Sequence, residues 1–226
     1  MRWIHDYQLF LFDFDGLLVN TEEAHFRAYQ KMCEDRGYFL GWDFDRYIQT
    51  AHYTSAGLEE QIYAQFPKLK KEEPTWSVLY NEKKQALINL FKTGQISLMP
   101  GVEKLLQALA DANINRAVVT HSDEDLVKII REQNASLHSI PHWITRRDYT
   151  FPKPDPECYQ KAIHTLARPS DAIIGFEDTP RGLRALNQTR AVPVLVSMIP
   201  YPEIEEFVDK GVSFFRSLED IPPTGP

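Results

Sequence analysis

The sequence predicts an α/β protein with a doubly wound parallel sheet and a helical insert after its first strand. Three observations carry this. Gln8-Leu9-Phe10-Leu11-Phe12 is a short apolar run that stops at a carboxylate, as a buried parallel strand does at the edge of its sheet. The pattern recurs where Ala117-Val118-Val119 ends at Thr120-His121-Ser122, and where Ala172 to Phe176 ends at Glu177-Asp178. Between the first two runs, from about Thr21 to Gly94, the apolar residues repeat at helical spacing without strand alternation.

Each strand end is followed by a helix signal. Ser122 is read as the cap of a helix containing Leu126, Ile129 and Ile130, while Thr179-Pro180 supplies an N-cap and a first-turn proline. Gly101 precedes a helix with Val102, Leu105, Leu106 and Leu109 on one face, and Asp155-Pro156 opens another through Tyr159, Ile163 and Leu166. Trp143-Ile144 and Val192 to Val196 complete the strands. This strand, polar tip and helix rhythm describes a Rossmann-like core of residues 1–20 and 95–226, with residues 21–94 as a separate helical module. In that module Phe26, Tyr29, Met32 and Cys33 form one stripe, and Trp76, Leu79, Tyr80, Leu87, Leu90 and Phe91 another that closes at Gly94. The aromatic stripes are read as the module's own core.

Composition narrows the function. Of 226 residues, 43% are hydrophobic and 25% charged, ordinary values for a globular chain. With 25 Lys and Arg against 32 Asp and Glu, the formal charge of −7 points away from nucleic acid and anionic membranes. The N-terminal residues show no secretory pattern, and no apolar run is long enough for a membrane span. Cys33 and Cys158 have no CxxC spacing, which fits two core thiols in a reducing cytoplasm.

The chemistry lies at the strand ends. Asp13 and Asp15 flank one residue, so in a regular strand both carboxylates point to one side, and Gly16 then permits a sharp turn. If Glu177 and Asp178 end a neighbouring strand, four acidic groups meet, and a hard divalent cation with oxygen ligands, Mg2+ above all, resolves their repulsion. A phosphate sharing that metal needs an in-line nucleophile, a proton donor for the leaving oxygen and charge neutralisation. Asp13 suits the first task, the Thr120 hydroxyl and the amides after it suit an anion, and Lys153 is a cation held between Pro152 and Pro154.

These residues together resemble the haloacid dehalogenase superfamily, in its phosphatase and phosphomutase branch with a helical cap. The resemblance rests on four ordered motifs: Asp13-Phe14-Asp15-Gly16, Thr120, Lys153-Pro154 and Glu177-Asp178. It implies that Asp13 attacks phosphorus and binds Mg2+, and that Asp15 protonates the leaving group, activates water and lends its carbonyl to the metal. Thr120 would bond the transferring phosphoryl group, Lys153 would tie it to the nucleophile, and Glu177 and Asp178 would hold the metal directly or through water. Asp15 separates the chain from the dehalogenases, which lack a second Asp, and from phosphonate hydrolysis, for which Lys31 is the cap lysine considered. The DKTGT signature of P-type ATPases is absent.

The closest pattern is that of sugar-phosphate phosphatases and beta-phosphoglucomutase. Asn20 stands where relatives often carry Asp, and His25 where the mutase uses a His in substrate proton transfer. The cap loop Thr50-Ala51-His52-Tyr53-Thr54-Ser55 lacks the mutase's Gly and Arg pattern, which favours hydrolysis. His121 replaces the Asn or Ser common after the motif Thr; it either contacts the leaving group or tops the next helix. The expected protein is therefore a cytoplasmic Mg2+-dependent phosphatase, monomer or weak homodimer, acting on a small phosphorylated metabolite through an aspartyl-phosphate. His121, His25 and His52 are its expected substrate contacts. A phosphomutase is the alternative, and a non-catalytic binding protein on the same fold a more distant one.

Overall fold

The computed structural model describes residues 1–53, 57–94 and 96–226, which form two compact units: Met1–Asn20 with Ile96–Pro226, and Thr21–Gln95. In the first, six strands form one sheet: β1 (Leu9–Phe12), β2 (Asn115–Val119), β3 (His142–Ile144), β4 (Ile173–Glu177), β5 (Val192–Val196) and β6 (Ser213–Phe215). Their order is β3-β2-β1-β4-β5-β6, with every pairing parallel. The short strand β6 was not expected, because Phe214 and Phe215 are only two apolar residues in a polar neighbourhood.

The central strand is apolar throughout because both of its faces are covered. Leu9 and Leu11 pack with Ala117, Val119 and Ile173 against Cys158, Tyr159 and Ala162 of the helix Glu157–Leu166. On the alternate residues, Phe10 and Phe12 stack with Phe176 of β4, with ring centroids 6.2 and 5.2 Å from it. Register does the rest. Phe12 pairs with both Val118 and Phe176, so β1, β2 and β4 end at one level and place residues 13, 119 and 177 side by side. The Asp13 amide extends the ladder by donating to the Phe176 carbonyl at 3.0 Å.

The helices of this unit depart from expectation at their starts. The helix after β2 is Glu124–Gln133 with Asp123 at its N-cap, so Ser122 is not the cap. Its hydroxyl is engaged elsewhere. Pro156 occupies the N-cap of Glu157–Leu166, one residue earlier than the first helical position, because the Asp155 carboxylate already accepts from the Glu157 amide. Thr179 does cap the helix Pro180–Leu186, accepting from the Gly182 amide at 3.1 Å.

The second unit contains, among the described residues, α1 (Glu22–Asp35), α2 (Phe44–Tyr53), α3 (Gly57–Gln65), α4 (Pro67–Glu72) and α5 (Trp76–Thr93). Phe26, Tyr29, Met32 and Cys33 of α1 are buried, as are Leu79, Leu87 and Phe91 of α5. Tyr80 is 38% exposed, whereas Lys83, midway between Leu79 and Leu87, is buried. Residues 50–53 continue α2 and are not a loop; Thr54 and Ser55 fall outside the described residues. Phe26 stacks on Tyr47 at 5.1 Å, and Tyr29 on Trp76 at 6.4 Å, so these aromatics do pack within the unit.

Phe10 is fully buried in the three-ring stack at the centre of the sheet. Phe10→Ala is expected to lower the unfolding free energy by about 3–5 kcal/mol through lost transfer energy and the cavity left behind, read as a shift in the urea midpoint at unchanged slope.

Candidate active site

At the carboxyl edge of the sheet, Asp13, Thr120, Lys153, Glu177 and Asp178 are almost inaccessible. Lys153 is their centre. Its ammonium donates to Asp13 Oδ1 at 2.5 Å, to Glu177 Oε1 at 2.7 Å and to the Val119 carbonyl at 2.9 Å. A lysine has three N–H groups, and here each has an acceptor. The Tyr159 ring lies 4.9 Å below the same nitrogen, and the Tyr159 hydroxyl donates to Glu177 Oε1. Burial alone would lower Lys153, yet Asp13 and Glu177 hold it well above its ordinary value. Burial also pushes the Glu177 carboxyl up, with Lys153 pulling the other way. The Lys153–Pro154 peptide bond is cis.

Asp13, Glu177 and Asp178 each offer an oxygen, all within 4.8 Å of one another. One ammonium faces three buried carboxylates, an excess of negative oxygen that suits a hard divalent cation. Two glycines make the crowding feasible. A Cβ at Gly16, where φ is +79°, would sit 2.2 Å from Asp178 Oδ2, and one at Gly182 would sit 2.0 Å from Glu177 Oε2.

Asp15 does not join that cluster. β1 ends at Phe12, so strict alternation no longer governs the residues after it, and the chain turns at Gly16. Asp15 Oδ2 instead accepts from Ser122 Oγ at 2.6 Å and from Thr120 Oγ1 at 3.4 Å. Thr120 Oγ1 accepts in turn from the Ser122 amide at 2.9 Å. The expected four-carboxylate group is thus three carboxylates with a fourth held apart on two hydroxyls. Asp123 stands at the N-cap of the following helix and Glu124 and Asp125 in its first turn, a poor place for a free anion to rest on the helix start.

His121 lies between Thr120 and Ser122, with Nδ1 2.7 Å from the Tyr149 hydroxyl. Burial, then the charges of Lys153, Arg181 and Arg146, press its pKa down to about 3. His25 and His52 belong to the helical unit. There His25 Nδ1 lies 2.9 Å from Lys83 Nζ, and His52 Nε2 lies 3.4 Å from Glu22 Oε2. Burial, then Lys83, presses the His25 pKa down to about 3. Lys31, in contrast, is on the surface and paired with Asp35.

Sequence reasoning missed four residues here. Ser122 reads as a helix cap and Tyr159 as helix core; Gly182 looks like an ordinary helical residue. Lys83 was passed over as a charge, although its spacing of four from both Leu79 and Leu87 puts it on the buried stripe.

Comparison with known proteins gives the family of the chain. The family model for haloacid dehalogenase-like hydrolases matches residues 10–194. A 2-deoxyglucose-6-phosphate phosphatase from Saccharomyces cerevisiae is 32% identical, covering 82% of this chain and 78% of its own. A probable pseudouridine-5'-phosphatase from Drosophila melanogaster is 27% identical over 94% of this chain and 90% of its own. The crystal structure of CbbY from Rhodobacter sphaeroides with phosphate superposes with a TM-score of 0.75 at 26% identity, covering 95% of this chain and 96% of that one.

Two outcomes are expected. Tyr159→Phe removes one donor from a buried carboxylate and should destabilise by about 1–3 kcal/mol in chemical denaturation. In the folded protein His25 and His121 stay neutral far below the ordinary histidine range. The unfolded chain therefore binds more protons below about pH 6.5, and stability is lost as pH falls, by about 1.4 kcal/mol per pH unit for each histidine. Urea unfolding at pH 7 and pH 5.5 measures this, and His121→Asn should shrink the difference.

Proposed function

The chain belongs to the haloacid dehalogenase-like hydrolases, and from that premise we propose that it hydrolyses a small phosphomonoester, a sugar phosphate or similar metabolite, through an aspartyl-phosphate at Asp13. The observation that carries this reading is the division of labour among the acids. Asp13 is clamped by Lys153 with Glu177 and Asp178 beside it, while Asp15 sits on hydroxyls outside that clamp. One carboxylate, bonded by the buried ammonium, is placed to attack, and the other, held apart from the cluster, to exchange a proton with the leaving oxygen.

In the first step an Asp13 oxygen forms the bond to phosphorus as the ester oxygen departs with a proton from Asp15. In the second, Asp15 takes a proton from water, which attacks phosphorus and releases phosphate and the Asp13 carboxylate. Thr120 and Ser122 keep the Asp15 carboxyl aimed through both steps, and Lys153 neutralises the nucleophile without leaving it. Asp13 and Asp178, with the Asp15 carbonyl, would hold Mg2+, and Glu177 would act through water, since one of its oxygens is engaged by Lys153 and Tyr159. A bound Mg2+ would supply charge neutralisation at the phosphoryl oxygens.

The phosphatases among the relatives favour hydrolysis over a phosphomutase, the reading that His25 would serve. A complete set of reactive side chains argues against a silent binding protein. Two buried free thiols, Cys33 and Cys158, fit a reducing cytoplasm, and no helix among the described residues is long and apolar enough to cross a membrane. We take the enzyme to act as a monomer or weak homodimer.

The test is phosphate release from 4-nitrophenyl phosphate and a panel of sugar phosphates. Chelation should abolish it and added Mg2+ restore it, and Asp13→Asn should lower it on the order of 10³-fold or more. Full activity in Asp13→Asn would end the proposal; an isomerised product with little free phosphate would favour the mutase.

A further inference from the structure

From Thr150 to Asp155 every residue except Lys153 is exposed. Side-chain packing therefore does not hold the stretch of chain that carries the ammonium, and its placement has to come from hydrogen bonds. Pro152, Pro154 and Pro156 have no N–H to give, which leaves few amides for the purpose. Two of them, at the entry to the loop, go to one side chain. Glu157, the first residue of the helix Glu157–Leu166, accepts from the Thr150 amide at 3.0 Å and from the Phe151 amide at 2.6 Å. The loop is closed across its base, with Lys153 inside the closure.

Further bonds stiffen it. The Asp155 amide donates to the Pro152 carbonyl at 3.0 Å, and the Glu157 amide donates to Asp155 Oδ1 at 2.9 Å. On the exit side Gln188 Nε2 donates to the Pro154 carbonyl at 2.9 Å. With φ fixed at the prolines, the segment between these anchors moves as one piece, so the anchors at Phe151 and Pro154 set where the Lys153 stem enters the site. The far end of that stem has little tolerance, because Nζ meets Asp13 Oδ1 at 2.5 Å, Glu177 Oε1 at 2.7 Å and the Val119 carbonyl at 2.9 Å. The Phe151 and Thr150 amides hold the Glu157 carboxyl below its ordinary value, so it is an anion at neutral pH. Bonds from an amide to an anion are stronger than those between neutral partners.

We propose that Glu157 is a positioning residue for the reaction: by holding the Thr150 and Phe151 amides it sets the Lys153 ammonium on Asp13, and loosening it slows phosphoryl transfer. This rests on the phosphatase reading above and extends it from the residues that react to one that places them. A carboxylate in the first turn of a helix also favours the helix through its charge. That contribution goes to stability and not through Lys153, and measurement separates the two.

The experiment measures kcat for 4-nitrophenyl phosphate at saturating Mg2+, per mole of folded enzyme. Glu157→Gln keeps the size of the side chain, but one oxygen becomes an NH2 group that faces a backbone N–H. Its kcat should fall on the order of tenfold, the scale of a small misplacement at a reacting centre. Glu157→Asp keeps the charge on a stem one methylene shorter and should recover part of that loss. In a Lys153→Met background Glu157→Gln should cause no further fall, because a residue that acts through Lys153 then has nothing to act through. A purely stabilising role would move the urea midpoint and leave kcat of the folded enzyme unchanged. A wild-type kcat in Glu157→Gln, a Glu157→Asp enzyme no faster than Glu157→Gln, or the same fall with and without Lys153 would each overturn the assignment. The first two comparisons keep Lys153 in place, so they decide the matter even if Lys153→Met does not fold. If the aryl phosphate is hydrolysed in an Asp13-dependent way and Glu157→Gln matches the wild type, only this inference falls; if the wild type hydrolyses no ester, both readings fall.

Discussion

The polar edge of the sheet depends on one buried ammonium. Lys153 reaches the sheet from a loop between prolines and engages a side chain from the end of β1, a side chain from the end of β4 and the last carbonyl of β2. Three strands that are far apart in sequence are therefore read by one nitrogen. Taking such charges out of water is expensive, and buried ion pairs seldom repay it in stability. What this arrangement does is fix the Asp13 carboxylate on the Lys153 ammonium, beside Glu177, in a place closed to water.

Around that nitrogen the side chains are supported in layers. Tyr159 braces Glu177 from a helix behind the sheet, and Gly16 and Gly182 provide the room that a carboxylate requires against the backbone. Asp15 is kept out of the cluster by the turn that follows β1 and by the two hydroxyls beyond β2. A fourth carboxylate placed among the other three would feel their field directly. Held on Thr120 and Ser122, it is separated from them while remaining two residues from Asp13.

The helical unit has a polar centre of its own. Lys83 sits in the buried stripe of α5, against His25 and above the Tyr29 ring, and Glu22 meets His52 nearby. A cation stacked on an aromatic face and bonded to a neutral imidazole is a tolerable way to bury charge. It also keeps His25 unprotonated. Both histidines with strongly depressed pKa values thus owe this to burial first and to a neighbouring positive charge second.

Much of this was legible in the chain itself. Apolar runs ending in carboxylates gave parallel strands with polar tips, because a strand buried on both faces must be apolar and its exit residues need not be. The order of Asp13, Thr120, Lys153 and Glu177-Asp178 gave the chemistry, since residue type limits what each can do. Spacing could not say that Asp15 would leave the carboxylate cluster, because alternation holds only inside a strand and β1 stops at Phe12. Nor could it say that Ser122 would bond Asp15, that Tyr159 would brace Glu177, or that Lys83 would be buried. Each of these depends on a partner distant in sequence or on the space beside it. Local pattern determined the elements and the reactive groups; the parallel register and the packing around Lys153 decided which groups meet.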